Sequence, residues 1–227
     1  MLRNVDSKAG RYEEAYKADV QYLKLSAENR KAAGESGMPY LPRAQKGDLF
    51  NKGVFQAEME SFDEARKTAE ELKVLIEKGT NMMELRNYEY ILGLVEFGKK
   101  NYRKAADYFG KACGRLYPEG DAQFSSSLAR SLFESGDLDE SRREYEKITL
   151  QTAGRLGHGD IYARAFYMLG KIAEQQGDKT RAITNYRKFL DLWKDADPGL
   201  PEVEDARKRL AALTLSADRK KPGSRPI

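Results

Sequence analysis

The feature of this 227-residue sequence that most constrains its fold is a short local pattern that occurs four times. Each copy begins with a polar residue, and a small residue follows four positions later. The polar and small residues of the copies are Ser61 and Ala65, Asn101 and Ala105, Asp137 and Ser141, Asp178 and Ala182. Twelve positions before the small residues stand Gly53, Gly93, Ala129 and Gly170. Recurrence at this spacing predicts a fold assembled from copies of one supersecondary unit.

Each copy has the features of a helix that packs against the helix before it. The polar residue can cap a helix N-terminus, and Ser61–Glu64 and Asp137–Glu140 have the spacing of a capping box. Apolar residues four and seven positions after the small residue lie on one helix face. These pairs are Ala69 and Leu72, Phe109 and Ala112, Tyr145 and Ile148, Tyr186 and Phe189. Glycine or alanine in the preceding helix lets the two helices cross closely.

These residues resemble the tetratricopeptide repeat, which has Leu-Gly in its first helix and Ala, an aromatic residue and Ala in its second. The two best copies contain Leu92-Gly93, Tyr102, Ala105, Phe109, Ala112 and Pro118, and Leu169-Gly170, Gly177, Ala182, Tyr186 and Pro198. The third copy departs from the pattern at Ala129 and Ser141. The copies are 40, 36 and 41 residues apart, whereas about 34 is usual for the family.

The resemblance implies an all-α fold, a right-handed superhelical solenoid of antiparallel helix pairs. About four full repeats and a capping helix are expected over residues 45–215. The predicted turns within the repeats are short and polar and are centred near Glu60, Lys100, Gly136 and Gly177. Short links between helices favour antiparallel packing of the two helices that they join.

The two ends of the chain differ from the repeats. Residues 1–44 contain Tyr12-Glu13-Glu14-Ala15, which predicts a single orphan helix, and then an extended linker over 33–42, which is rich in glycine and proline. Either this helix caps the array or, as we favour, the chain is cut from a longer protein. At the other end Pro201 opens a capping helix over 202–215, and 216–227 are expected to form a disordered basic tail.

The segment 189–198 resembles the end of tetratricopeptide tails in bacterial multidomain signalling proteins. Kinase and DNA-binding motifs are absent from the sequence. The net charge of +4 is spread along the chain, and only 219–221 form a local basic run, so nucleic acid is an unlikely partner. No stretch approaches the roughly 18 apolar residues that span a bilayer, and we expect a cytoplasmic protein without a membrane partner.

The sequence offers few residues for catalysis or metal binding. Cys113 is the only cysteine and His158 the only histidine, so we expect no enzyme activity, no metal site and no cofactor. His158 lies in the glycine-rich segment 154–160, which is either a phosphate loop or, as we favour, a flexible link between repeats. We expect Cys113 to be a half-buried core thiol, and Trp193 to pack against the capping helix rather than line a ligand pocket.

In the family, ligands lie along a concave face built from the first helix of each repeat, so the resemblance implies a partner-binding groove. Phasing on the small residues places there Phe50, Asn51, Val54, Asn87, Tyr90, Leu94, Phe97, Gln123, Ser127, Arg130, Phe133, Arg164, Tyr167 and Lys171. The first half of this set is largely apolar, and the second half is more polar and basic. A peptide with hydrophobic anchors and an acidic group or free carboxylate suits this gradient.

Other interpretations of this face remain open. Phe50, Leu94 and Phe97 could instead belong to the core between repeats. One sub-class of the family grips a C-terminal carboxylate with lysine and asparagine in its first repeat, and no matching pair lies around Phe50 and Val54. We therefore predict a non-catalytic module that binds a protein or peptide. The alternative is a homo-oligomeric assembly element of a larger signalling protein, which associates through its N-terminal helix.

Overall fold

The computed structural model describes residues 40–115, 121–151, 158–195 and 199–218, together with Ala18, Gln21 and Leu25. Regular secondary structure in these residues is entirely helical, as predicted. The α-helices are α1 (Tyr40–Glu58), α2 (Phe62–Glu77), α3 (Leu85–Gly98), α4 (Tyr102–Gly114), α5 (Ala122–Ser135), α6 (Leu138–Leu150), α7 (Gly159–Gln175), α8 (Lys179–Leu192) and α9 (Pro201–Asp218). A 3-10 helix, Met82–Glu84, precedes α3.

The chain divides into two compact bodies, the N-terminal body (Met1–Tyr117) and the C-terminal body (Pro118–Ile227). The N-terminal body contains the helix pairs α1–α2 and α3–α4. The C-terminal body contains α5–α6, α7–α8 and α9, which packs on α8. The helices of each pair are antiparallel. The four predicted pairs, here called repeats 1 to 4, and the predicted capping helix are thus confirmed.

The turn within each repeat reverses the chain through one residue with a positive φ. These residues are Glu60 (59°), Lys100 (62°), Gly136 (87°) and Gly177 (77°), which are the four predicted turn centres. The left-handed conformation suits glycine but costs another residue about 1 kcal/mol. The N-terminal body therefore makes the same turn at a higher conformational cost than the C-terminal body.

Close helix crossing explains the glycines in the middle of α3 and α7. A Cβ atom added to Gly93 would stand 2.6 Å from Cε1 of Phe109, and one added to Gly170 would stand 2.6 Å from Cε1 of Tyr186. Both rings are fully buried. Glycine is required at these two positions because the aromatic ring of the partner helix occupies the space of a side chain.

Repeat 3 makes the same crossing with slightly larger residues. Ala129 of α5 and Tyr145 of α6 belong to one buried cluster. Ser141, which replaces the usual alanine, is fully buried, and its Oγ donates to the backbone oxygen of Ala129 at 2.8 Å. The departure from the repeat pattern is therefore accommodated, because the buried hydroxyl has an acceptor.

The predicted helix caps are correct in position but mostly wrong in mechanism. Only Asp178 accepts from the backbone of its own helix, at Arg181 N (3.0 Å). Ser61, Asn101 and Asp137 precede their helices without a side-chain cap bond. Asn101 and Asp137 instead form hydrogen bonds with side chains of the preceding helix, Glu96 and Ser135. These bonds within the repeat take the place of the predicted cap bonds.

The structure also corrects the predicted ends. Helix α1 begins at Tyr40, so residues 40–42 are helical and not part of an extended linker, because proline is tolerated in a first helical turn. Helix α9 begins at Pro201 as predicted but continues to Asp218, so 216–218 do not belong to a disordered tail. The orphan helix lies outside the described residues except for Ala18, Gln21 and Leu25, and so do the linker up to residue 39 and the tail from 219.

The apolar residues that define the repeats form the core of each body. In the N-terminal body one buried cluster joins α1, α2 and α3 and includes Ala65, Leu72, Ile91 and Val95. In the C-terminal body one cluster joins α5, α6 and α7, and another joins α7, α8 and α9. Of the helices described, none is both long and apolar enough to cross a membrane.

Candidate functional site

The predicted binding residues of the N-terminal body lie on α1 and α3 and form what we call the N-terminal face. The ring of Phe50 is centred 5.9 Å from that of Tyr90, which in turn is 5.3 Å from Phe109 of α4. Tyr90 is only 3% exposed. It is therefore a core residue, and its prediction as a surface contact is wrong, because its ring fills the space between the first helices and α4.

The other members of the N-terminal face are half-buried. Phe50, Val54 and Leu94 pack against the core cluster of this body. Phe97 contacts Tyr102 at the start of α4, with ring centres 5.2 Å apart. Asn51 and Asn87 complete the set. The apolar side chains that suggested hydrophobic anchors for a partner therefore pack largely against neighbouring helices.

Two carboxylates of α3 were missed by the sequence interpretation. The side chain of Glu96 is 1% exposed and accepts from Asn101 Nδ2 (2.9 Å), with Arg66 also bonded and Lys104 Nζ at 3.2 Å. Burial alone raises the pKa of Glu96, but hydrogen bonds from Asn101, Lys104 and Arg66 outweigh it and hold the pKa below its ordinary value. The cations come from α2 and α4, so Glu96 ties three helices together.

The second carboxylate has the same character. Glu89 lies two helical turns before Glu96 and is largely buried. It accepts from Arg115 Nε at 2.9 Å and Nη2 at 3.2 Å, which is the bidentate geometry that favours Arg–carboxylate pairs. Glutamates seven residues apart on a largely apolar helix were the available sequence signal. The charges of both are matched by cations within the N-terminal body.

The predicted residues of the C-terminal body lie on α5 and α7 and form what we call the C-terminal face. The Lys171 ammonium stands 5.1 Å from the ring centre of Phe133 and 5.6 Å from that of Tyr167. Gln123 and Arg130 are exposed, and Ser127 is half-buried. Residues from two different repeats are therefore brought together, with a cation held over two aromatic rings.

Arg164, the remaining member of the C-terminal face, lies between three groups. Its Nε is 3.1 Å from Glu202 Oε1 of α9, and its Nη1 is 3.7 Å from Asp160 Oδ2. Its guanidinium carbon lies 5.8 Å from the ring centre of Trp193. The predicted basic character of this half is therefore partly neutralised, since one of its three cations already faces a carboxylate of the capping helix.

A polar network that the sequence interpretation missed fastens α9 to α7 and α8. Tyr167 donates to Asp205 Oδ2 at 2.7 Å, and Arg209 Nε bonds the same oxygen at 2.6 Å. Arg209 Nη1 and the hydroxyl of Tyr186 both donate to Glu174 Oε2, at 2.9 and 2.8 Å. Burial tends to raise the pKa of Asp205, but bonds from Tyr167 and Arg209 hold that pKa below its usual range.

The residues considered for catalysis do not converge. Cys113 is a half-buried thiol in α4, and His158 directly precedes α7. Trp193 packs against the cluster that contains Val203 and Ala206 of α9, as predicted. Among the described residues no three His, Cys, Asp or Glu side chains come together as a metal site would require.

Comparison with known families bears on repeat 4. The sequence model described as "Tetratricopeptide repeat" matches residues 163–192, from the first half of α7 to the end of α8. Repeats of this family generally mediate contacts with proteins or peptides and are typically non-catalytic. No curated protein matches the sequence.

Three solved structures are similar in fold to between 81% and 96% of this chain, and two of them are described as TPR or TPR-like. BtubC (BKLC) from P. vanneervenii has a TM-score of 0.63 at 12% identity and covers 95% of this chain and 96% of its own. TPR-like repeats of a kinesin light chain protein from Podosopora anserina give 0.61 at 13% identity, covering 81% and 91%. YrrB, a TPR protein with an unusual peptide-binding site, gives 0.50 at 19% identity, covering 96% and 88%. At these identities the likeness concerns the fold alone.

Proposed function

We propose that the chain is a non-catalytic binding module and that its C-terminal face holds a segment of a protein partner. One observation carries the proposal: Phe133 and Lys171, from the first helices of two successive repeats, meet at 5.1 Å and remain only partly buried. An aromatic ring beside a cation offers a partner segment both apolar area and a charge. The sequence analysis expected basic character in this half of the groove and apolar anchoring in the other half, whereas the proposed face combines the two.

Support for a peptide-sized partner comes from two sides. Repeat 4, which supplies Arg164, Tyr167 and Lys171, is the part of the chain that matches the tetratricopeptide family. YrrB, which has a similar fold, is described as having a peptide-binding site. The half-buried members of the N-terminal face stay predicted contacts, with Tyr90 left out.

Two finer predictions are not part of the proposal. The comparisons give no support to an origin in a bacterial signalling protein. Assembly through the N-terminal helix stays a prediction, because of that helix only Ala18, Gln21 and Leu25 are described.

A peptide array probed with the purified chain tests the proposal. Peptides that bind the native chain should be captured about tenfold less well, or worse, by the variant R130E/K171E, because two of the three positive charges on the C-terminal face are reversed. Arg164 is kept in this variant so that its contact with α9 is undisturbed.

The matched control is R187E/K188E on α8, where both side chains are exposed on a second helix and the change in net charge is identical. This control should keep native capture. Equal loss in the two variants would show that net charge, and not the C-terminal face, governs binding. Unchanged capture by R130E/K171E would refute the proposal.

A further inference from the structure

The capping helix already contacts the α7 residues of the C-terminal face. Glu202 faces Arg164 at 3.1 Å, and Asp205 accepts from the hydroxyl of Tyr167 at 2.7 Å. Asp205 also lies close enough to Lys171 for that ammonium to help lower its pKa. The charged first half of α9 thus places carboxylates where the sequence predicted an acidic partner.

The two carboxylates are held very differently. Asp205 receives hydrogen bonds from Tyr167 and from Arg209 Nε, and Arg209 is itself bonded to Glu174. Replacing Asp205 at this point would break a connected network. The contact of Glu202 is a single ion pair in which both side chains are about one third exposed, 32% for Arg164 and 30% for Glu202. Exposed pairs of this kind contribute little and are weakened by salt.

The pair between Glu202 and Arg164 is also poorly oriented. Nε of Arg164 is buried, yet among the described residues no acceptor meets it in hydrogen-bond geometry, although Glu202 Oε1 is only 3.1 Å away. A buried N–H without an acceptor is unfavourable. A carboxylate that is not fixed to α9 could approach Arg164 from a better direction than Glu202 does. It could then accept hydrogen bonds from Nε–H and one Nη–H together, in the bidentate arrangement.

We propose that a carboxylate of the bound segment replaces Glu202 at Arg164, so that the partner is an acidic segment and Glu202 is its built-in competitor. This inference rests on the proposed function and specifies the partner of the same face. Glu202 then lowers the affinity for acidic segments without being required for folding. Trp193, 5.8 Å from the guanidinium, keeps Arg164 in place in both states.

Glu204 supplies a matched control for Glu202. Both lie in the first turn of α9, so they interact similarly with the helix dipole, but Glu204 is exposed and has no ion pair among the described residues. The probes are two peptides that carry an uncharged BODIPY label at the N-terminus: an octaglutamate amidated at its C-terminus, and a Gly-Ser octapeptide whose only charge is its free C-terminal carboxylate. They distinguish side-chain from terminal carboxylates, and binding is followed by fluorescence anisotropy at low ionic strength.

We expect E202Q to bind at least one probe about threefold more tightly than the native chain, and E204Q to bind as the native chain does. Adding R164Q to E202Q should remove the gain. An equal gain in E202Q and E204Q, no gain in E202Q, or no binding of either probe by any variant would overturn the inference. Array peptides lacking carboxylates that still depend on Arg130 and Lys171 would leave the proposed function standing while this inference fails.

Discussion

The two bodies build the same helix pairs with different polar chemistry. Among the described residues, the buried polar side chains of the N-terminal body are Thr68 and the carboxylates Glu89 and Glu96, and each carboxylate is paired with a cation from another part of the body. In the C-terminal body they are the serines Ser125, Ser131 and Ser141. Its described ion pairs between different helices join α7 to α9, and their side chains are partly exposed.

This difference indicates where binding is to be sought. In the N-terminal body, charged and aromatic side chains of α3 contact other helices of the same body: Glu96 pairs with Arg66, and Tyr90 packs against Phe109. The C-terminal body keeps Lys171 and Arg164 at a partly open surface. Similar residues in the same phase of a repeat can therefore serve folding in one body and, in our proposal, recognition in the other.

One contact is common to both bodies and should cost the same in each. Gly93→Ala and Gly170→Ala each place a Cβ atom 2.6 Å from a fully buried ring. Overpacking costs about 1–3 kcal/mol, and the better helix propensity of alanine offsets about 1 kcal/mol of that cost. Because both rings are fully buried, we expect a net loss of stability in the upper half of the remaining range, about 1–2 kcal/mol in both variants, measured by urea denaturation.

Gly110→Ala is the matched control, because a Cβ atom there would meet nothing within 4 Å. It should leave the stability unchanged or raise it. If Gly93→Ala and Gly170→Ala are as stable as Gly110→Ala, steric exclusion by the aromatic rings is not the reason for glycine.

Glu96 and Asp205 should differ in their contribution to acid sensitivity. Both have a lowered pKa in the folded state, so each stabilises the fold above its unfolded pKa, and that stability is lost as the pH falls through the folded pKa. The Glu96 side chain is 1% exposed and that of Asp205 is 35% exposed. Solvent screening therefore discounts the second effect.

We expect Glu96→Gln to cost about 1–2 kcal/mol at pH 7, because hydrogen bonds to a buried charge are lost. It should also flatten the decline in stability below pH 4.5 more than Asp205→Asn does. The free energy of unfolding from pH 7 to pH 3 measures both effects. Equal flattening by the two variants would contradict the difference drawn between the bodies.

The turns should give the smallest effect and opposite signs in the two bodies. Lys100 and Gly136 have φ of 62° and 87° at equivalent positions. Lys100→Gly removes the strain of the left-handed conformation but also increases the conformational entropy of the unfolded chain. We therefore expect the free energy of unfolding to rise by about 0.5 kcal/mol. Gly136→Ala should cost about 1 kcal/mol. A loss in both, seen by thermal denaturation, would mean that contacts of the Lys100 side chain decide the turn.

Much of the fold could be predicted from the sequence because repetition supplies the same signal four times. The spacing of the small residues predicted both helices of each repeat and the turn centres. These include the turns at Glu60 and Lys100, where the residue is not a glycine. Helix ends were less predictable. The side chain of Asn101 bonds to Glu96 instead of capping its own helix, and a partner five residues away in the preceding helix is invisible to a local rule.

The helices that carry the two faces were predictable from the sequence, but the exposure of the residues on them was not. Phase alone places Tyr90 and Tyr167 on equivalent faces, yet the first is buried against Phe109 and the second bonds to Asp205. Tyr167 also packs against the following helix, with its ring centre 6.2 Å from that of Tyr186, so what separates the two tyrosines is the contact with α9, which no periodicity reports. For the same reason the network of α9 and the pairing of Arg164 with Glu202 could not be foreseen.

Site-specific photocrosslinking tests the central claim most directly. A benzophenone amino acid is placed at Gln123, exposed on the C-terminal face, or at Thr184, exposed on the second helix α8 of the same body. A peptide selected on the array is then irradiated with each protein. We predict a crosslinked product from position 123 and none from position 184. Equal products from both positions, or a product from position 184 alone, would contradict binding at the C-terminal face.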